Sequence, residues 1–94
     1  MRPIPPKLRK EMEDDPYYKT CVHQSEDCMG RIEWDHVFIY AGKQINEKWA
    51  ILPTCHWHHV NIVRFRRESE RIAVKRATLE QLAEYPKRNW SRYL

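Results

Sequence analysis

No apolar run in the sequence approaches the length of a membrane span. The first twenty residues carry five bases and four acids and hold no secretory core. We therefore expect no membrane partner and a cytoplasmic location. Cysteine is scarce as well: three residues cannot all pair, which excludes a complete disulfide framework and points to reduced thiols, the state in which cysteine usually holds metal. Internal repeats and low-complexity tracts are absent, so the chain reads as one unit. Its 94 residues suffice for one domain and not two. A core that small often needs a staple.

What is present is unevenly distributed. The formal charge is +4, but residues 21–59 hold three bases against five acids, while residues 60–94 hold nine bases against four acids. This pattern suits a cation-binding middle beside a C-terminal half that faces a polyanion, with nucleic acid the expected partner. A solvated helical face rich in Arg and Lys would give the same pattern, and both readings stand at this point.

The local signals divide the chain into a 1–20 N-terminal extension, a 21–67 centre and a 68–94 C-terminal helical extension. Pro3, Pro5 and Pro6 predict an extended opening over residues 1–6, with Pro6 starting a helix over residues 7–15 that Pro16 stops. CVHQSEDCMG, from Cys21, reads as a polar metal-binding loop, and RIEWDHVFIY, over residues 31–40, as a strand. A turn, AGKQINEK, separates it from a second strand around WAIL, which makes a hairpin. Thr54 is the expected cap of a helix from His56 to at least Arg67. Thr78 and Gln81 resemble a capping box for a last helix that starts at Leu79, ends before Pro86 and shows an apolar face of Leu79, Leu82 and Ala83.

All the cysteines and histidines fall between Cys21 and His59. Cys55 and His58 have the spacing of the second half of a zinc knuckle at a loop-to-helix junction, and Cys21 and Cys28 can supply the first half. The separation of Cys21 from Cys28 is wider than usual, so His23 is a rival ligand. Such a structural Zn²⁺ would replace core that a short chain cannot build. His58 and His59 are adjacent on a helix and point about 100° apart, so one can serve zinc while the other faces elsewhere. Asp35 offers a hard oxygen ligand, and the imidazole of His36, at an ordinary pKa of about 6.5, can take a proton from water. A regular strand would send the two to opposite faces, so a shared site requires the strand to end or bulge there.

Taken together, Cys21 and Cys28, then EWDHV from Glu33, then LPTCHWHH ending at His59, resemble the HNH endonuclease family, and more narrowly its small phage-type members with a zinc knuckle. The resemblance implies an α+β chain with a zinc-braced ββα-metal fold and flanking helices, acting on DNA in a host cytoplasm if a phage encodes it. It makes His36 the general base, with Asp35 and His59 the protein ligands of a catalytic ion. Two protein ligands completed by water suit Mg²⁺ or Mn²⁺. The middle Asn of the family is missing: Ala50 stands at its usual place, and Asn46 is the nearest substitute. Where some members have a further ligand one turn after His59, this chain has Val63.

The implied reaction is metal-dependent hydrolysis of a phosphodiester bond, leaving 5′ phosphate and 3′ hydroxyl and failing below about pH 6, where imidazole is protonated. Arg64, Arg66, Arg67, Arg71, Lys75 and Arg76 are the expected phosphate contacts. They position a strand without reading it, so specificity would come from a phage or host protein. Trp34, Tyr40, Trp49 and Trp57 either stack on bases or fill the core. Two rival readings remain: an inactive HNH-like zinc module that binds DNA or inhibits a protein partner, and a purely structural zinc protein in which Asp35 and His36 are incidental.

Overall fold

The computed structural model describes residues 4–93. Pro5 is extended (φ −56°, ψ 142°), and Pro6, whose missing N–H would be unused in a first helical turn, opens α1 over Pro6–Glu13. The rest of the extended opening, residues 1–3, lies outside the described residues. The helix ends short of the expected Asp15, because that side chain caps the next element: its carboxylate accepts the Tyr17 N–H at 2.9 Å and begins a 3-10 turn, Pro16–Lys19.

The strands are β1 (Ile32–His36), β2 (Ile39–Tyr40), β3 (Lys43–Gln44) and β4 (Ile51–Cys55). β1 and β4 pair antiparallel from Ile32 with Cys55 to His36 with Ile51. The long strand expected over residues 31–40 is thus divided after His36, and β3 lies inside the segment expected to be only a turn. The cause is local. Ala41 and Gly42 both take positive φ (52° and 78°), as a two-residue hairpin turn requires, and they fold β2 back onto β3.

Every residue of β4 is buried, and the chain passes from it into α2 (His56–Val60), α3 (Ile62–Arg76) and α4 (Leu79–Ala83). Thr54 is not the cap. It lies within β4 opposite Glu33, and Cys55 caps α2 instead, its sulfur accepting the His58 N–H at 3.5 Å. The helix expected from His56 is broken at Asn61 and then runs on to Arg76, across the boundary expected at residues 67–68. The capping box of α4 is present, with Thr78 and Gln81 bonded reciprocally at 2.8 and 3.1 Å. Leu79 and Ala83 are nevertheless exposed, since a helix this short offers little more than Leu82 to the core.

The main core gathers Val37, Phe38, Trp49, Leu52, Val74, Leu82, Trp90 and Tyr93, and a smaller one joins Met12, Tyr18 and Ile51 beneath Trp34. Trp34 and Trp49 therefore serve packing. Arg76 ties the two halves together. Its guanidinium lies 4.1 Å from the Tyr17 ring centre and donates to the Tyr18 hydroxyl at 2.9 Å and to the Lys48 and Ile51 carbonyls at 3.2 and 3.3 Å. The architecture is a small α+β domain whose β1–β4 pair feeds directly into a helix. Among the described residues no helix is long and apolar enough to cross a membrane.

Candidate functional site

Cys21, Cys28, Cys55 and His58 converge, with their ligand atoms within 4.8 Å of one another. Nδ1 of His58 faces all three sulfurs, at 3.1 Å from Cys55 and 3.6 Å from both Cys21 and Cys28. Ligands of a tetrahedral ion with bonds of about 2.0–2.3 Å lie roughly 3.3–3.8 Å apart, so the group can hold a metal ion, and its soft sulfurs suit zinc. The other ring nitrogen of His58 lies 3.2 Å from the Ser25 hydroxyl, the outer contact that fixes a ligating histidine's tautomer. Burial pushes the Cys55 thiol up, but the backbone N–H and ring of His58 and the backbone of Met29 outweigh it and bring it down to about 6.

The loop that carries Cys28 is docked onto the start of α2. Carbonyls of Arg31 and Met29 accept the N–H groups of His56 and Trp57 at 2.9 and 3.1 Å, satisfying donors that open every helix. Gly30 makes the approach possible: its φ is +86°, and a Cβ there would lie 2.7 Å from that of His56. The rival ligand, His23, is not part of the group. Its ring stacks on that of His58 at 5.0 Å, with Nε2 3.1 Å from the Ser69 hydroxyl and Nδ1 3.5 Å from Glu68. Burial holds this imidazole below its usual range despite the opposing pull of Glu68.

A second constellation forms at the end of β1. Asp35 and His36 share a cleft of about 40 Å³ with Ile62, Arg66 and Ser69, since β1 ends at His36. Nε2 of His36 lies 2.7 Å from Oδ1 of Asn46. With the amide oxygen as acceptor the ring proton is on Nε2, which leaves the lone pair on Nδ1. Burial pushes the Asp35 carboxyl above its ordinary value, and the charges of His59, His36 and Arg66 draw it partly back.

His59 is held from another side. Pleating puts Glu33 on the same face of β1 as Asp35, and Glu33 bridges two histidines, with Oε1 2.7 Å from Nδ1 of His59 and Oε2 2.8 Å from Nδ1 of His56. The His59 contact has ion-pair distance without hydrogen-bond alignment. The His56 hydrogen bond leads the groups that hold the Glu33 carboxyl below its usual range. Glu33 lies within the EWDHV run, and its two-residue separation from Asp35 was a legible signal of a shared face. Among the described residues the Cys₃His group is the one cluster of three or more metal donors, and His59 does not line the Asp35–His36 cleft.

Arg64, Arg66, Arg67 and Arg71 line an open groove of about 380 Å³ with Val63, Glu70 and Tyr93, and Arg92 joins them from the 3-10 turn Trp90–Tyr93. Arg66 lines this groove and the Asp35–His36 cleft alike. Lys75 is exposed and outside the groove, and Arg76 is engaged in packing, so neither belongs to it. Arg92 was missed because a lone arginine near a chain end carries no positional signal. Trp57 packs edge-on against His58 and Phe65. Comparison with protein-family models, with curated proteins and with solved structures finds no match.

Proposed function

We propose that this protein is a metal-dependent endonuclease of the HNH kind, cutting phosphodiester bonds in DNA during phage-type DNA processing. One observation carries the reading: the His36 ring, held by Asn46 at 2.7 Å, shares a cleft with Asp35 and with Arg66, which also lines the basic groove. Asn46 would do the work of the family's middle Asn from a different place in the chain. It orients the ring, and Nδ1 of His36 then accepts a proton from the attacking water. Arg66, between cleft and groove, is suited to hold an oxygen of the scissile phosphate, while Arg64, Arg67, Arg71 and Arg92 take neighbouring phosphates. Bound at Asp35 and His59, Mg²⁺ or Mn²⁺ would supply a positive charge to offset that developing on the phosphate and the leaving 3′ oxygen. The β1–β4–α2 succession would correspond to the ββα-metal core, braced by zinc on Cys21, Cys28, Cys55 and His58.

The test is nicking of supercoiled plasmid with added Mg²⁺ or Mn²⁺. His36→Ala should lower the rate by at least about a hundredfold while zinc content and the circular dichroism spectrum stay as in the wild type. A zinc-loaded wild-type protein that cuts nothing under any divalent ion would instead favour the inactive module that binds DNA or inhibits a protein partner. An unchanged rate in His36→Ala would make Asp35 and His36 incidental.

A further inference from the structure

The β2–β3 hairpin, placed between the two long strands, forms one wall of a pocket of about 360 Å³ whose lining includes Tyr40, Lys43, Gln44, Asn46 and Tyr85. We propose that this pocket takes a single unpaired nucleobase from the strand being cut, and so makes the protein selective for single-stranded or flapped DNA. The proposal rests on the nuclease reading and adds the strandedness of its substrate.

Three features of the pocket define its ligand. Its volume lies in the range of roughly 300–1,000 Å³ that small planar ligands occupy. Tyr40 and Tyr85 meet edge to face at 5.0 Å, and each hydroxyl is anchored, that of Tyr85 on Glu47 and that of Tyr40 by the Lys87 N–H at 3.2 Å, so the rings are set before anything binds. Aromatic faces of this kind stack any base. The third feature is Oε1 of Gln44, a buried acceptor with no hydrogen-bond partner among the described residues. Such an acceptor is costly to leave unmatched, and rotation of the Gln44 side chain into the pocket would bring it to an incoming N–H.

Every base carries an N–H donor on its Watson–Crick edge, and in a duplex that donor is already engaged while the base is stacked between neighbours. A pocket offering one acceptor and aromatic walls therefore distinguishes unpaired from paired bases more than one base from another. Lys43 supplies a cation for the adjoining phosphate. Asn46 links the pocket to the proposed chemistry, since it lines the pocket and bonds to His36. A base held there belongs to a nucleotide close to the bond that His36 would attack.

Binding separates this inference from catalysis. The His36→Ala protein, at fixed salt and without added divalent ion, is titrated by fluorescence anisotropy with one labelled sequence as a single strand, as a duplex, and as a duplex with an unpaired flap. Single strand and flap should bind roughly tenfold tighter than duplex, the scale of one stacked base. Gln44→Met should remove most of that advantage and leave duplex binding unchanged. Equal or tighter duplex binding, or an advantage that survives Gln44→Met, would overturn the proposal. A measurement needing no pocket variant places 2-aminopurine in the flap: stacking on Tyr40 or Tyr85 should change its fluorescence at saturation, and no change would overturn the proposal too. If the wild type cuts no DNA but the Gln44-dependent advantage is seen, the pocket stands and the nuclease reading falls.

Discussion

The two histidine centres of this molecule are built on different terms. At the Cys₃His group, sulfurs from the N-terminal loop and the end of β4 converge on one nitrogen of His58 in the first turn of α2. At the end of β1, Asp35 and His36 share a cleft, but His59 is held by Glu33, two residues before Asp35. The first centre gathers its ligands around a point and the second spreads its groups around a space. A staple needs every donor directed inward, whereas a site for chemistry on a substrate needs room for water and phosphate beside its side chains.

The largest effect should come from removing metal from the Cys₃His group. Stripping metal with a chelator, or Cys55→Ser, should abolish cooperative thermal unfolding, because structural zinc contributes on the order of 10 kcal/mol in small domains. Circular dichroism and a colorimetric zinc assay check it, and a metal-free protein that still melts cooperatively would remove the staple from the argument. At the second centre, Glu33→Gln should leave the melting transition nearly unchanged yet lower metal-dependent nicking about 10–100-fold and raise the Mg²⁺ concentration needed, the usual scale for a carboxylate that orients a ligating histidine. Unaltered Mg²⁺ dependence would reduce Glu33 to a surface ion pair with His56.

Smaller effects are expected at Gly30 and Asp35. Gly30→Ala brings a methyl group against His56 at a positive φ and should destabilise by about 1–3 kcal/mol, read as a lower Tm with zinc still bound. Asp35→Asn should act in the opposite sense. Burial raises the folded carboxyl above 3.8, so the folded protein holds this proton more tightly than the unfolded chain does, and the group subtracts stability as pH rises from about that value through the folded one. At neutral pH the variant should melt a few degrees higher than the wild type when no divalent ion is added, and should show no nicking when Mg²⁺ or Mn²⁺ is added. A lower Tm would mean that the carboxylate stabilises the fold.

The Cys₃His group was legible because cysteine and histidine are few here and crowd into one stretch, so spacing alone narrowed the choice to Cys21, Cys28, Cys55, His58 and the rival His23. Carboxylates and arginines are common on any surface, and their types say little about where they meet. For that reason Glu33 and Arg92 went unassigned, and Arg76 was grouped with neighbours whose direction it does not share. The capping box at Thr78 was readable because it is made within four residues. The break at Asn61 and the short β2–β3 hairpin were not, although both are local: the Asn61 side-chain amide donates to the Trp57 carbonyl at 2.8 Å, and an alanine that takes positive φ, as Ala41 does, carries no signal of it in its residue type.

Features that are local or chemically rare could be read from the chain alone: the helix starts at Pro6 and after Thr78, and the Cys₃His donors, whereas the second strand, expected to stop at Pro53, runs through it to Cys55. Which abundant groups meet depends on the folded chain. Folding joined Asn46 to His36, set Glu33 between His56 and His59, turned Arg76 inward and left Arg66 between cleft and groove. The physical reason is one of range: turn chemistry and ligand softness act within a few residues or through a single ion, while the partners of a carboxylate or guanidinium are chosen by packing across the whole chain.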